Sequence, residues 1–261
     1  MDISRRAFLK HSTIGALSAC ACCAGIGAAL AEDAVHAPHW TYEGTEGPEH
    51  WGELKPEFKA CQIGLEQTPL DLTGGVKAIL GKPPKVDFKK LPLAVVNNGH
   101  TIQVNAAPGS STLIDGVKYD LVQFHFHHPS EHLLSGKPFE MEVHFVHKSA
   151  EGALAVLGVF VKLGRPNRAI EAVFAAMPAT EGEDKSADLI DPRHMLPAGR
   201  GYFRYYGSLT TPPCSEGLVW TVYKEPITAS REQVEKFAKL FANNARPVQK
   251  RNHRYLLEVS T

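Results

Sequence analysis

The alternation of histidine with phenylalanine in the stretch Tyr119–His127 most constrains the fold of this chain. His125 and His127 are interleaved with Phe124 and Phe126. Successive side chains of a β-strand point to opposite faces, so the two imidazoles share one face and the two aromatic rings share the other. The pattern predicts a strand with one buried apolar side and one side able to bind a ligand.

A second predicted strand, Glu140–His147, can bring a third imidazole to the same place. The intervening segment Pro129–Pro138 begins and ends with proline and contains Gly, which favours a reversal of the chain. The two strands would then be antiparallel neighbours. By strand parity, His144 could converge with His125 and His127 on a single point.

Three other histidines lie close in sequence but are excluded by the same reasoning. His128 and His147 fall on the opposite face of their strands, and His132 lies in the connection between them. The sequence therefore separates three candidate ligands from three bystanders.

Three neutral imidazoles are a typical ligand set for a borderline metal ion, and zinc is the one we expect. Gln123 and Glu142 each precede a proposed ligand by two residues on the same face, where each could accept the second ring N–H of that ligand. Three protein ligands leave a fourth position open, which is typical of a catalytic rather than a structural zinc site. The alternative is that the histidines only form hydrogen bonds in a polar cavity.

The rest of the chain is divided by Gly and Pro into short apolar segments, which predicts a mainly β fold (α+β) with short peripheral helices. The sheet is expected to be central, twisted and mostly antiparallel, within a single domain over residues 32–261. Asn97-Asn-Gly99 predicts a hairpin turn. Helices are expected over Ala169–Ala176 and Ser230–Phe241, the second with Ser230 as N-cap and Gln233 three residues on. The remaining predicted strands are Leu93–Val96, Thr101–Asn105, Ala153–Leu163 and Leu218–Tyr223.

Residues 1–31 resemble an export signal that is removed from the mature chain. Arg5-Arg6 precedes the apolar stretch Ile14–Leu30, as in twin-arginine signals, and Ala29-Leu-Ala31 offers a cleavage site. A periplasmic location is therefore expected. Two alternatives stay open, namely an uncleaved anchor and a lipoprotein attached to the membrane through Cys20.

The charge and the cysteine content limit the possible partners and the possible compartment. The 261 residues carry no formal net charge, so nothing indicates nucleic acid as a partner. No transmembrane segment is expected in the mature chain, and it could be a monomer or a dimer. After removal of the signal only Cys61 and Cys214 remain, an even pair in an exported chain that predicts a disulfide. Two free buried thiols are the alternative.

Further motifs follow one another along the chain beside the two histidine strands. They are His39-Trp-Thr-Tyr42, Gly47-Pro-Glu-His-Trp51, Gln67-Thr-Pro-Leu-Asp-Leu72, Asn97-Asn-Gly-His100, Ser130-Glu-His132, Ala155-Val-Leu-Gly158 and Gly207-Ser-Leu-Thr-Thr-Pro-Pro213. Together they resemble the motifs of the α-class carbonic anhydrases. The resemblance covers nearly the whole mature chain, and the order of the motifs makes it specific although each one alone is weak.

This resemblance implies the fold of that family and the reversible hydration of CO₂ to bicarbonate and a proton, by attack of zinc-bound hydroxide on CO₂. It implies that the Thr210 hydroxyl accepts from the hydroxide and donates to Glu131, which would orient the nucleophile and exclude ligands that have no proton to give. His100 matches the proton shuttle, and an imidazole titrates in the right pH range for that task. Asn244 matches the segment whose backbone carbonyl supports the middle ligand. The apolar substrate pocket implied by the resemblance consists of Val146, Val156, Leu209, Thr211 and Trp220.

Two other functions compete with this interpretation. A cupin shares the spacing of His125, His127 and Glu131, but its second motif would require a histidine after Pro197-Ala-Gly199, and Tyr202 stands there. A non-catalytic binding module of the same family would be expected to have lost a metal ligand. All three candidate ligands are present, which favours the enzyme.

Overall fold

A large mixed β-sheet organises the chain, in a computed structural model that describes residues 39–78 and 81–260. The predicted export signal, residues 1–31, lies outside the described residues, and the predicted domain limits stay a prediction. The strands are β1 (Val76–Lys77), β2 (Lys85–Asp87), β3 (Leu91–Asn97), β4 (Ile102–Asn105), β5 (Ser111–Ile114), β6 (Val117–His127), β7 (Met141–Ser149), β8 (Leu154–Leu163), β9 (Gly182–Ile190), β10 (Tyr202–Ser208), β11 (Glu216–Ala229) and β12 (Leu257–Val259).

The helices are short. The α-helices are α1 (Trp51–Leu54), α2 (Ala60–Ile63), α3 (Arg168–Ala175) and α4 (Arg231–Ala238), and 3₁₀ turns span Gly44–Glu46, Pro56–Phe58 and Pro192–Met195. None of the helices in the described ranges combines the length and the apolar character that crossing a membrane requires. The prediction of a mainly β fold with short helices is confirmed.

The strands lie side by side in the order β1-β12-β10-β11-β8-β7-β6-β4-β3-β9, while β5 pairs with β6 and β2. Most neighbours are antiparallel, as predicted. The exceptions within the described chain are β8 with β11 and β1 with β12, which run parallel. The centre of the sheet is therefore formed by strands from distant parts of the sequence.

Strands β6 and β7 pair as the histidine pattern predicts. The connection between them reverses the chain, and His125 stands directly opposite His144 in the antiparallel register. Beyond β7, Val146 pairs with Val156 of β8, which in turn pairs with Trp220 of β11. This register aligns polar and apolar side chains on one face of the sheet.

The opposite face of β6 and β7 is covered by helices α3 and α4. Phe124, Phe126 and Phe145 are fully buried there, with Phe174 of α3 and Phe237 of α4 packed against them. The ring centroids of Phe126 and Phe174 are 5.0 Å apart. Burial of each such ring stabilises the fold by about 1.5–3 kcal/mol, so this face anchors the strands that carry the histidines.

Local sequence signals explain the helix and turn nearest this core. The Ser230 hydroxyl accepts from the backbone N–H of Gln233 while the Gln233 side chain accepts from the N–H of Ser230, which is the predicted capping box. Strands β3 and β4 form an antiparallel pair joined at the Asn97-Asn-Gly99 turn, with Asn97 opposite Ile102. Both predictions are confirmed.

Candidate metal centre

Three imidazoles meet on the face of the sheet opposite the phenylalanines. The ring centroids of His125 and His127 lie 5.0 Å apart, and those of His127 and His144 lie 4.6 Å apart. One nitrogen of each ring lies within 4.8 Å of one nitrogen of the other two. His127 and His144 are 1% exposed. The strands thus bring together the three residues that parity singled out.

Two of the rings are oriented by hydrogen bonds through Nδ1. His125 Nδ1 lies 2.8 Å from Gln123 Oε1, and His127 Nδ1 lies 2.7 Å from the backbone carbonyl of Asn244. Because both partners are acceptors, each Nδ1 donates and each Nε2 is left with a free lone pair. In the described part of the chain, the buried Nε2 of His127 has no hydrogen-bond partner.

The third ring is oriented by a buried carboxylate. Nε2 of His144 lies 3.0 Å from Oε1 of Glu142, although the contact is not aligned as a hydrogen bond. Glu142 is fully buried. Burial alone would raise the pKa of its carboxyl group, but the neighbouring His132 and His144 outweigh that effect and hold the pKa well below its usual range. The carboxylate is therefore an anion, which favours the tautomer of His144 with its proton on Nε2. In that tautomer the lone pair of Nδ1 is free to bind a metal.

His132, which the sequence placed in a connecting loop without a role, is part of this network. Its Nδ1 and its backbone N–H contact the carboxylate of Glu142 at 2.7 and 2.9 Å. Its Nε2 lies 2.6 Å from the hydroxyl of Tyr205. His132, Glu142 and His144 could also be viewed as a ligand group, but atoms already in direct contact at 2.7–3.0 Å leave no room for an ion between them. The signal that could have identified His132 was its place next to Glu131.

The electrostatics of the cluster favour neutral rings. Burial lowers the pKa of His125 well below its ordinary value, and neighbouring His127 and His144 lower it further. Burial also lowers the pKa of His127, against the opposing influence of Glu131. Neutral imidazoles with free, inward-facing lone pairs are the state that binds a metal. The donor set and the unpartnered His127 nitrogen fit a divalent ion such as zinc.

Glu131 and Thr210 flank the cluster. Glu131 is 1% exposed, and its Oε1 accepts from the backbone N–H of Arg246 at 2.9 Å. Its Oε2 lies 3.6 Å from His127 Nε2 and has no hydrogen-bond partner among the described residues. Thr210 is 5% exposed. The hydrogen bond expected between Thr210 and Glu131 stays a prediction.

Apolar side chains adjoin the histidines on the same face. Val156 and Trp220 are buried in one cluster against which Val146 and Leu209 pack. The centroid of the Trp220 ring lies 4.9 Å from that of His144. Thr211, the fifth expected pocket residue, is partly buried. An apolar wall thus borders the candidate centre, and the role of these five residues as a substrate pocket stays a prediction.

His100 stands at the end of the β3–β4 turn and stacks on Trp40. The two rings are 3.6 Å apart at the centroids and inclined by 9°. Burial lowers the pKa of His100, and the nearby His39 lowers it further, while Glu181 acts in the opposite direction. The role of Trp40 as a stacking partner was not foreseen, because nothing in the sequence relates it to the turn.

The remaining expectations concern the bystander histidines and the cysteines. His147 is buried on the opposite face, with Nε2 3.0 Å from the Thr112 hydroxyl and Nδ1 2.8 Å from the Phe145 carbonyl. Its ring stacks on Phe88, which also packs against Phe145, in agreement with the parity argument. Cys61 and Cys214 form the predicted disulfide across 153 residues. This bond ties the N-terminal part of the fold to the loop that follows Thr210.

Comparison with known proteins identifies similar sequences and folds. The family model for eukaryotic-type carbonic anhydrases matches residues 46–260. A carbonic anhydrase of Nostoc sp. is 46% identical over 227 residues, covering 85% of this chain and 86% of its own. One from Pectobacterium atrosepticum is 40% identical over 253 residues, covering 95% and 98%. The solved α-carbonic anhydrase of Thermovibrio ammonificans, in complex with the inhibitor sulfanilamide, has a TM-score of 0.82 and 47% identity, covering 84% of this chain and 99% of that one.

Proposed function

Since this chain belongs to the eukaryotic-type, or α-class, carbonic anhydrase family, we propose that it hydrates CO₂ at a zinc ion held by His125, His127 and His144. The observation that carries the proposal is the convergence of three imidazole nitrogens within 4.8 Å on one face of the sheet. A non-catalytic member of the family would be expected to have lost a metal ligand, and all three candidate ligands are present here. The enzyme activity itself, reversible CO₂ hydration, follows from membership of the family.

The ligand geometry supports zinc as the bound ion. When bound, zinc supplies the Lewis acidity that activates water for attack at neutral pH. Gln123, the Asn244 carbonyl and Glu142 hold the three rings in the orientation and tautomer that ligation requires. These three partners are proposed as supporting residues of the metal site.

Thr210 and Glu131 are proposed to orient the nucleophile. Glu131 offers an unpartnered buried oxygen beside His127, and as a carboxylate it can only accept. A Thr210 hydroxyl that donates to Glu131 must use its lone pairs for the nucleophile. A nucleophile held in this way points its attacking lone pair at the substrate, which reduces the entropy lost on reaching the transition state.

The apolar wall and His100 are proposed to serve the substrate and the proton. CO₂ carries no charge, so an apolar surface of Val146, Val156, Leu209 and Trp220, with Thr211 at its edge, suits it better than a polar one. The proton released in each cycle must reach buffer, and the His100 imidazole, whose pKa burial lowers, is a group that can accept and release a proton. Stacking on Trp40 would hold its ring in one position.

Hydration measured by stopped flow on the zinc-loaded protein tests the proposal. We expect activity that is lost on removal of the metal by a chelator and recovered on addition of zinc. His144→Ala should abolish both stoichiometric zinc binding and activity, whereas Thr210→Ala should lose rate but still bind zinc. A folded protein that binds no stoichiometric zinc, or a Thr210→Ala variant with full activity, would contradict the assigned roles.

Export to the periplasm through the twin-arginine signal in residues 1–31 is proposed as well. The Cys61–Cys214 disulfide supports an oxidising compartment. Attachment as a lipoprotein through Cys20 is the alternative, and mass spectrometry of the mature N-terminus distinguishes the two. A chain that begins near Glu32 favours the cleaved signal, and one that begins with a modified Cys20 favours the lipoprotein. Sedimentation would decide between the expected monomer and dimer.

A further inference from the structure

Arg246 is a buried arginine whose side-chain hydrogen bonds, in the described chain, all go to uncharged oxygens. It is 2% exposed and one of the largest fully buried side chains. Burial lowers its pKa to about 10, so it remains a cation at neutral pH. Arginine is rarely buried without a directly bonded carboxylate because its desolvation is costly, and here Glu131 and Glu216 raise the pKa of the guanidinium without bonding to it. Such a position indicates a task that an apolar side chain could not perform.

The guanidinium group holds one stretch of backbone in place. Nη1 donates to Oε1 of Gln67 and to the carbonyl of Thr68, both at 2.9 Å. Nη2 donates to the carbonyl of Cys61 at 3.0 Å. The group also lies over the ring of Trp51, 5.6 Å from its centroid. The planar fork of donors thereby fixes residues 61–68 relative to Arg246.

The same stretch is joined to the loop that carries Thr210. Cys61 is bonded to Cys214, which follows Thr210 closely in the sequence. The N–H of Thr68 donates to the Ser208 hydroxyl at 3.0 Å, and the N–H of Ser208 donates to the Thr68 hydroxyl at 2.9 Å. The position of Thr210 therefore depends on the stretch that Arg246 holds.

The backbone of Arg246 holds Glu131, the proposed hydrogen-bond partner of Thr210. Its N–H donates to Oε1 of Glu131 at 2.9 Å. Arg246 thus contacts Glu131 through its main chain and the Thr210 side through its guanidinium group. We infer that Arg246 is a positioning residue that sets the separation between Glu131 and Thr210, an inference that rests on the proposed function.

A change in the separation between Glu131 and Thr210 would lower the rate of the reaction more than it would weaken the binding of substrate. A hydroxyl–carboxylate hydrogen bond requires about 2.5–2.7 Å between its oxygens, and a displacement of about 1 Å in a positioning contact can cost about 100-fold in rate. Arg246 is not one of the residues proposed to contact CO₂. Its loss should lower kcat and leave KM nearly unchanged.

The test compares Arg246→Met and Arg246→Lys with Arg204→Met, using the full-length zinc-loaded protein. Arg204 is also a buried arginine, 8% exposed, but its side chain pairs with Asp115 and donates to the Thr221 hydroxyl, not to residues 61–68. The measurements are kcat and KM for CO₂ hydration per bound zinc, and the inhibition constant for bromide, an anion that has no proton to give.

We expect both Arg246 variants to lose kcat by about 10-fold or more, with KM within about 2-fold of wild type. Bromide should inhibit them at lower concentration, because a displaced Thr210–Glu131 pair no longer excludes ligands without a proton. Arg204→Met should lose stability but keep both kcat and its response to bromide.

Unchanged kcat in the Arg246 variants would overturn the inference. So would full activity in Arg246→Lys, since charge alone would then suffice, and so would an equal loss in Arg204→Met, which would indicate general destabilisation. If Arg246→Met does not fold, the kcat and the bromide inhibition of Arg246→Lys test the inference on their own. A wild-type protein without hydration activity would instead contradict the proposed function, so the two failures are distinguishable.

Discussion

His147 should make the stability of the protein depend on pH between 4 and 7. Its ring is 0% exposed and stacks against Phe88 with ring centroids 5.7 Å apart. Burial lowers the pKa of His147 from 6.5 to about 4, despite the opposing influence of the Phe145 carbonyl. The folded protein therefore keeps this ring neutral at a pH where the unfolded chain protonates it.

The magnitude and the sign follow from this difference in pKa. Each pKa unit corresponds to about 1.4 kcal/mol, so the fall from 6.5 to about 4 is equivalent to about 3 kcal/mol in all. Because the unfolded state binds the proton more readily, the contribution is complete above pH 6.5 and is lost as the pH falls toward 4. Between pH 7.5 and pH 5.0 the loss amounts to about 2 kcal/mol.

Replacement of the titrating ring should remove this dependence. In His147→Asn the amide can still donate to the Phe145 carbonyl, although the contact with the Thr112 hydroxyl is lost. We expect the variant to be less stable at pH 7.5, and the difference from wild type to shrink by about 2 kcal/mol at pH 5.0.

Urea unfolding of the metal-free, disulfide-intact protein at both pH values measures this directly. The matched control is His253→Asn, the same substitution at a histidine that is exposed on the surface. A gap between wild type and His147→Asn that is the same at pH 7.5 and pH 5.0 would show that His147 titrates alike in both states and would refute the reasoning.

Three further predictions concern stability and metal affinity. Replacement of Cys61 and Cys214 by serine should lower the free energy of unfolding by up to about 5 kcal/mol, since the bond closes a loop of 153 residues, and an unchanged denaturation midpoint would contradict this. Gly158→Ala would place a Cβ 2.9 Å from Oε1 of Glu142 and displace that carboxylate. Zinc binding, measured by competition with a chelator, should then weaken by about 10–100-fold. A fall in stability without weaker zinc binding would refute the role given to Glu142. Ser230→Ala should lower the free energy of unfolding by about 1 kcal/mol through loss of the helix cap, with hydration activity unaffected, and urea denaturation with a stopped-flow control would check both.

Prediction was least successful for strands whose pattern is weak. Strand β9 is polar and exposed along most of its length because, among the described residues, it lies at the edge of the sheet and pairs with β3. Strand β10 was missed although most of it is buried. Its sequence carries no alternation because both of its faces are buried. Phe203 and Tyr205 lie in a core cluster with Trp220, whereas Arg204 on the other face pairs with Asp115 and lies over the ring of Tyr202.

The sequence by itself determined the properties that depend on local geometry. Strand parity is a property of the backbone, so it alone placed His125, His127 and His144 on one face and His147 on the other. Capping of α4 by Ser230 and the turn at Asn97 are likewise decided within a few residues.

Only the tertiary structure decided which distant segments meet. The parallel pairing of β8 with β11 brings Trp220 to the histidines, and the contacts of His132 with Tyr205 and of Arg246 with Glu131 span 73 and 115 residues. Such contacts leave no periodic trace in the sequence, since the burial that makes them stable comes from the whole sheet and not from neighbouring residues.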